Sequence, residues 1–168
     1  MVKTLVMIRH GQRDNSRREL DNGLDDKGRE QAKALKHFFQ KRFSDVDPEK
    51  ALWLASSPKL RCIETLAPIA KALGRSVDSH PGLDEQAMRE SGTAFADRVQ
   101  AFLKEWNRSK VPLTVISSHG DWLPLAAYSL LGLHLDVKKG SWLEIEWDSQ
   151  RAFLKWYIPS FKHLDVAP

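Results

Sequence analysis

Two histidines in this chain each follow an apolar, β-branched run, and each is followed directly by glycine. Thr4 to Ile8 runs into Arg9-His10-Gly11, and Leu113 to Ile116 runs through two serines into His119-Gly120. Such runs are typical of buried strands in a parallel sheet. Residues just beyond the carboxyl ends of these strands face the crevice where open α/β sheets bind ligands. Two histidines and an arginine at that edge predict an enzyme that acts on an anion.

The chemistry that these residue types support is phosphoryl transfer. A phosphoryl group needs cations on its equatorial oxygens and a nucleophile in line with the leaving oxygen. Arginine stays charged, and its planar fork donates two parallel hydrogen bonds to phosphate. A neutral imidazole can attack phosphorus and form a covalent intermediate. Taken alone, His10 and His119 also fit a second interpretation, in which each is a buried imidazole satisfied by backbone groups.

The elements that must position these residues alternate between strand and helix. Helical periodicity and capping residues predict four helices: from Asp25-Asp26 to about Phe43, from Ser57-Pro58 to about Leu73 with Ser57 as N-cap, from near Thr93 to Asn107, and after His119 up to Gly132. Further strands are predicted over Ala51 to Ala55, weakly near Val77, and as a hairpin of Trp142 to Trp147 and Ala152 to Tyr157 around Asp148-Ser149. This order predicts an α/β fold: a three-layer α/β/α sandwich whose mostly parallel sheet has an antiparallel edge.

The composition limits the cellular setting and the partners. A chain of 168 residues is expected to form one domain over residues 1–168. A formal charge of +4 is too small, and too mixed with acids, to predict a nucleic-acid partner. The single cysteine, Cys62, fits a reducing compartment. With neither a secretory signal nor a membrane-length apolar stretch in the sequence, we expect a cytoplasmic protein without a membrane partner. The oligomeric state is left open.

Five blocks of the sequence, in order, resemble the histidine phosphatase superfamily, which includes the cofactor-dependent phosphoglycerate mutases and the short phosphohistidine phosphatases. They are Arg9-His10-Gly11, residues 24–32, residues 56–65, Glu90-Ser91 with Arg98-Val99, and Ser118-His119-Gly120. The resemblance implies a phosphoglycerate mutase-like fold. It also implies that His10 attacks phosphorus and becomes phosphohistidine, while Arg9, Arg61 and His119 hold the phosphate. This set of cations needs no metal and no other cofactor.

The resemblance identifies the general acid less directly than it identifies the other site residues. A family acid usually follows the second arginine in a Leu-x-Glu setting, and Leu83-Asp84-Glu85 fits that pattern. Glu85 is therefore predicted to protonate the leaving oxygen. Asp121 is the alternative, because another branch places an aspartate directly after the second histidine, although here Gly120 intervenes. Asn15 falls close to, but not on, the family's asparagine position after the first motif.

The segment after Glu85 predicts an open pocket. Four residues separate Glu85 from Glu90, where larger family members carry an insertion that covers the site. Arg13, Arg17 and Arg18 follow His10 and are either a solvated basic loop or a contact for an acidic or multiply phosphorylated substrate. The remaining histidines, predicted to be surface or packing residues, are His37, His80, His134 and His163.

The sequence predicts a metal-independent phosphatase that hydrolyses phosphomonoesters or protein phosphohistidine. Its partner would be a phosphorylated small molecule or a phosphoprotein. Two alternatives stay open: a phosphoglycerate mutase-like phosphotransferase, and a non-catalytic phosphate- or partner-binding module on the same fold.

Overall fold

A computed structural model describes residues 2–17, 19–47, 51–148 and 150–161. Arg18, Ser149 and His163 lie outside the described residues. Within them, one sheet contains six strands: β1 (Lys3–Arg9), β2 (Leu52–Ser56), β3 (Asp78–Ser79), β4 (Leu113–Ser118), β5 (Trp142–Trp147) and β6 (Ala152–Ile158). Their spatial order is β3-β2-β4-β1-β5-β6. The first four of these neighbours pair in parallel, and β5 and β6 add the antiparallel edge. The predicted fold class is confirmed.

Four α-helices connect the strands in the described part of the chain: α1 (Asp26–Arg42), α2 (Leu60–Ala72), α3 (Gly92–Arg108) and α4 (Trp122–Leu131). A short 3-10 turn over Pro81–Leu83 precedes α3. Local capping explains several of the boundaries. The side chain of Asp25 accepts a hydrogen bond from the backbone N–H of Gly28 at the start of α1, and Gly132 ends α4 in the left-handed conformation, with φ 67°.

The start of α2 corrects one prediction. Ser57 was expected to be its N-cap, but the helix begins at Leu60 and its N-cap is Lys59. The Ser57 hydroxyl does accept from the backbone N–H of Lys59, at 3.3 Å, yet its other partners are side chains from distant parts of the chain. Those contacts hold residue 57 on the sheet edge, so the helix starts later.

The core lies on both faces of the sheet. Alternate residues of β1 separate into the two layers: Leu5 and Met7 belong to a cluster with α3 and α4, whereas Val6 and Ile8 belong to a cluster with α1 and α2. The side-chain period of two in a strand produces this division. The central strands are therefore buried on both faces, and their carboxyl ends are the positions where polar side chains lie.

Candidate active site

The register of β1 with β4 brings the two predicted histidines together. Arg9 pairs with Ser118 across the parallel ladder, and the backbone N–H of His10 donates to the carbonyl of Ser118 at 3.1 Å. His10 and His119 follow these strand ends, and their ring centroids lie 5.4 Å apart at an interplanar angle of 61°. Both side chains are buried.

The His10 ring has a defined tautomer. Its Nδ1 lies 2.8 Å from the carbonyl oxygen of Gly11. A carbonyl only accepts, so Nδ1 carries the proton and Nε2 holds the lone pair. Burial lowers the pKa of His10 to about 3 against the opposing effect of the Gly11 hydrogen bond, and His119 and Arg61 lower it further. The ring is therefore neutral near pH 7, with a nucleophilic nitrogen available.

Ser57 and Asp84 orient His119. Its Nε2 lies 2.8 Å from Ser57 Oγ, and the Ser57 hydroxyl donates to Asp84 Oδ1 at 3.0 Å. Because that hydroxyl proton is directed at the carboxylate, the serine oxygen accepts from Nε2–H and leaves Nδ1 unprotonated. Nδ1 lies 3.4 Å from Nη2 of Arg61. Burial, followed by the charge of Arg61, lowers the pKa of His119 to about 3.

Arg61 supplies buried positive charge, and Arg9 supplies half-buried positive charge. Nη1 of Arg9 donates to the carbonyl of Val137 at 2.6 Å. Nη2 of Arg61 donates to Glu85 Oε1 at 2.7 Å, and the Arg61 side chain is 4% exposed. The Nε atom of each arginine is buried and has no hydrogen-bond partner among the described residues. The Nη donors of both guanidinium groups are suited in charge and geometry to bind an oxyanion.

Gly120 allows Arg9 to lie against the turn after β4. A Cβ at residue 120 would lie 2.5 Å from Cζ of Arg9. A side chain here would therefore displace the guanidinium from the site. Glycine after the second histidine thus has a steric role that its position in the sequence motif did not reveal.

The two candidate acids occupy different positions. The carboxylate of Glu85 is 43% exposed, pairs with Arg61 and lies 3.7 Å from Nδ1 of His119. Asp121 accepts with both oxygens from backbone N–H groups, of Trp122 at 2.8 Å and of Gln86 at 2.8 Å. The structure therefore brings Glu85 to the histidines and arginines, and Asp121 holds the segment next to it.

The structure also gives the burial of the other residues that the sequence places near the two motifs. Arg13 is half-buried and its backbone forms an isolated bridge with Leu24, whereas Arg17 and Asn15 are exposed. Cys62 is buried, with Sγ 3.5 Å from Nε2 of His119, and burial raises the pKa of its thiol to about 12. It is a protonated packing residue of α2.

Sequence reasoning missed the residues that hold the site in place. Ser57 and Asp84 act through His119, and Thr65 accepts from the backbone N–H of Gly11 at 3.0 Å. Arg98 lay within a recognised block but had no assigned role, and it donates to the carbonyls of Asp84 and Glu85. The signal in the sequence that could have identified these supporting residues is their polar character at the ends of otherwise apolar helices and strands.

Neither a metal site nor a membrane-spanning helix is present in the described ranges. No group of three or more His, Cys, Asp or Glu side chains there is arranged to hold a metal ion. None of the helices found there is long and apolar enough to cross a membrane.

Fold and site together define an α/β protein with a cationic cluster at the carboxyl edge of its sheet and a neutral histidine that can act as nucleophile. The sequence model of the histidine phosphatase superfamily (branch 1) matches residues 5–90, just over half of the chain. The chain belongs to this superfamily. A search of curated proteins finds no significant sequence match.

Solved structures share the fold over nearly the whole chain. A mycobacterial glucosyl-3-phosphoglycerate phosphatase complexed with VO3 superposes with a TM-score of 0.76 at 21% identity, covering 94% of this chain and 99% of that one. A candidate alpha-ribazole-5'-P phosphatase from Escherichia coli gives 0.76 at 18% identity, covering 95% and 98%. A phosphoserine phosphatase mutant from Entamoeba histolytica, complexed with phosphoserine, gives 0.72 at 16%, covering 92% and 96%. These similarities extend the family fold to the carboxyl-terminal half.

Proposed function

We propose that this protein is a metal-independent phosphatase that hydrolyses phosphomonoesters or protein phosphohistidine through a phosphohistidine intermediate on His10. One observation carries the proposal: the hydrogen bond from Nδ1 of His10 to Gly11, which leaves a neutral Nε2 in the pocket. A nucleophile of this kind next to two guanidinium groups suits attack on a phosphoryl anion.

In the first step the phosphoryl oxygens bind to Arg9, Arg61 and His119. The bound anion favours the charged form of His119, whose Nδ1 then takes a proton and donates to it. The Nε2 lone pair of His10 forms the P–N bond as the P–O bond breaks. The leaving oxygen takes its proton from the carboxyl group of Glu85. A phosphate dianion beside Glu85 favours that protonated carboxyl, because adjacent anions repel.

In the second step water attacks the phosphohistidine. The carboxylate of Glu85 takes the water proton, the P–N bond breaks, and its electron pair returns to Nε2 of His10. Inorganic phosphate leaves and the enzyme is restored. The two steps sum to hydrolysis of one phosphomonoester by one water molecule.

An open site, which the short segment between Glu85 and Glu90 predicts, favours hydrolysis over the mutase alternative. A mutase has to keep water from its phosphoenzyme until a second hydroxyl accepts the phosphate. Met88, in the short segment between Glu85 and Glu90, is fully exposed and covers nothing. Several structural neighbours are named as phosphatases, and one of these structures contains bound phosphoserine. These names also support a phosphatase.

The test is turnover of 4-nitrophenyl phosphate by the purified protein, with His10→Ala as the inactive variant. His37→Ala is the matched control, because His37 is exposed on α1. Rapid quenching in alkali, which preserves phosphohistidine, followed by mass spectrometry should find phosphate on the peptide that contains His10. Wild-type protein that binds phosphate but neither turns over nor becomes phosphorylated would instead support the non-catalytic binding module.

A second measurement separates the phosphatase from the mutase. During turnover in the presence of an added alcohol such as glycerol, the ratio of inorganic phosphate to phosphorylated glycerol reports where the phosphoryl group goes. We expect inorganic phosphate to predominate, since water enters an open pocket freely. Predominant transfer to the alcohol would contradict hydrolysis.

A further inference from the structure

The loop between α4 and β5 is tied to the backbone of the nucleophile. The backbone N–H of Gly140 donates to the carbonyls of Arg9, at 3.1 Å, and His10, at 3.2 Å. Gly140 has a φ of 70°, a left-handed conformation that favours glycine. Lys139 directly precedes Gly140 in the chain. It is therefore held close to the carboxyl end of β1.

A buried glutamine places Lys139 beside Gln12. Gln31 of α1 is 4% exposed; its Oε1 accepts from the backbone N–H of Gln12 at 2.8 Å, and its Nε2 donates to the carbonyl of Lys139 at 3.2 Å. Ser160 donates to the same carbonyl at 2.8 Å. With both backbones held, the ammonium of Lys139 donates to Oε1 of Gln12 at 3.2 Å.

The charge of Lys139 has no carboxylate partner within 4.0 Å in the described part of the chain. Its neighbour Lys138, in contrast, lies 3.8 Å from a carboxylate oxygen of Asp136. Burial lowers the pKa of Lys139, and the positive charges of Arg9 and Arg13 lower it further, against a smaller opposing effect of the Asp25 carboxylate. A half-buried cation held beside other cations is unfavourable until an anion binds.

We infer that Lys139 and the side-chain amide of Gln12 form a second anion subsite beside the phosphoryl pocket. Its ligand is the second anionic group, a carboxylate or phosphate, of a small phosphomonoester. The inference rests on the proposed function and narrows its substrate class.

The position of the subsite separates it from the phosphoryl pocket. Arg9, Arg61 and His119 already supply donors for the three equatorial oxygens. Gln12 and Lys139 are partly exposed, whereas His10 is buried, so solvent and a ligand group reach them more readily. Because Gln12 is two residues beyond His10, their Cα atoms are at most about 7 Å apart. The second anion therefore lies only a few bonds from the transferred phosphoryl group.

The experiment compares 3-phosphoglycerate with glycerol 3-phosphate, which share a primary alkoxide leaving group and differ in the carboxylate. Wild-type protein is expected to prefer 3-phosphoglycerate. Lys139→Met should lower kcat/KM for it by about tenfold or more, mainly through KM, since a charge-assisted hydrogen bond is lost. Turnover of glycerol 3-phosphate should change by less than about threefold. Lys139→Arg should restore the preference, and Lys138→Met should leave it unchanged.

A binding arm keeps this inference distinct from the proposed activity. By calorimetry, wild-type protein should bind pyrophosphate more tightly than inorganic phosphate, and Lys139→Met should remove that difference while Lys138→Met keeps it. If the protein showed this pattern of pyrophosphate and phosphate binding but no turnover, the proposed phosphatase activity would be overturned and the subsite would stand. Equal effects of Lys139→Met on both substrates and both anions, or no effect, would overturn the subsite. A larger effect on a phosphohistidine peptide than on 3-phosphoglycerate would also contradict it.

Discussion

Arg98 and Glu90 form a bidentate ion pair at the base of the loop that carries the candidate acid, with Nε–Oε1 at 2.9 Å and Nη2–Oε2 at 2.7 Å. The same guanidinium donates to the carbonyls of Asp84, at 2.8 Å, and Glu85, at 3.1 Å. Arginine can make these bonds together because its donors form a rigid, permanently charged fork. Arg98 is thus a positioning residue for Glu85 and for Asp84, which orients His119 through Ser57.

Replacing Arg98 should impair the acid more than the nucleophile. Lysine keeps the charge but cannot make all four bonds, so Arg98→Lys should lower kcat for an alkyl phosphate by about tenfold or more. An aryl phosphate, with its better leaving group, should be affected less. The measurement is kcat and KM for both substrates, with thermal unfolding to monitor stability. Arg89→Lys, on the exposed side of the same loop, is the matched control. Equal losses on both substrates would indicate a general structural role.

Glu85 and Asp121 should differ sharply when each carboxylate is neutralised. Glu85→Gln removes a transferable proton, which should depress alkyl phosphate turnover by about 10²–10⁴-fold and aryl phosphate turnover less. Asp121→Asn should be milder, because Asp121 serves two backbone N–H groups and its amide retains one acceptor. Leaving-group dependence of kcat distinguishes them. If neither variant discriminates, no dedicated acid exists and phosphohistidine becomes the better substrate class.

Glu85→Gln should also bind inorganic phosphate more tightly than wild type. The carboxylate now occupies Arg61, at 2.7 Å, and would repel an incoming anion. Calorimetric titration at constant ionic strength measures the change. Unchanged or weaker phosphate binding would place the anion away from Arg61.

His10 and His119 should stay neutral in the anion-free protein from about pH 5 to 8, because burial lowers both pKa values to about 3. The unfolded chain takes up these protons near pH 6.5 and the folded chain does not. Their contribution to stability is therefore full above about pH 6.5 and is lost as the pH falls towards about 3. NMR titration of the imidazoles, with the free energy of unfolding measured against pH, checks this.

Sulfate should move the pKa of His119 upward, since the protonated ring would donate to the anion. The acid-induced loss of stability should then shrink. A His119 resonance that titrates near pH 6.5 in the anion-free protein would contradict the buried, neutral ring.

Phosphatase activity should survive exhaustive chelation. Arginine and histidine side chains provide the positive charge that a divalent metal supplies in other phosphoryl-transfer sites. The measurement is aryl phosphate turnover before and after dialysis against a strong chelator. Activity that disappears and then returns with a divalent ion would overturn the metal-independent mechanism.

The sequence by itself determined the strands, the helices and the positions of four members of the candidate site. A β-branched run that ends in Arg-His-Gly is a local pattern, and parallel strands bring their carboxyl ends to one edge whatever the rest of the chain does. The sequence pattern alone therefore predicts that His10 and His119 lie close together. The predicted helix and strand limits mostly differ by a residue from those found, with larger differences at the end of β4 and the start of α2.

Only the tertiary structure decided how those residues are oriented and which neighbours hold them. Ser57 lies 62 positions from the histidine it orients, and Lys139 lies 127 positions from its partner Gln12. Such hydrogen bonds depend on how whole elements pack against one another, to within a few tenths of an ångström. Local periodicity and capping signals carry no information about that packing. For this reason the start of α2, the different settings of Glu85 and Asp121, and the contact of Lys139 with Gln12 are decided only in the folded chain.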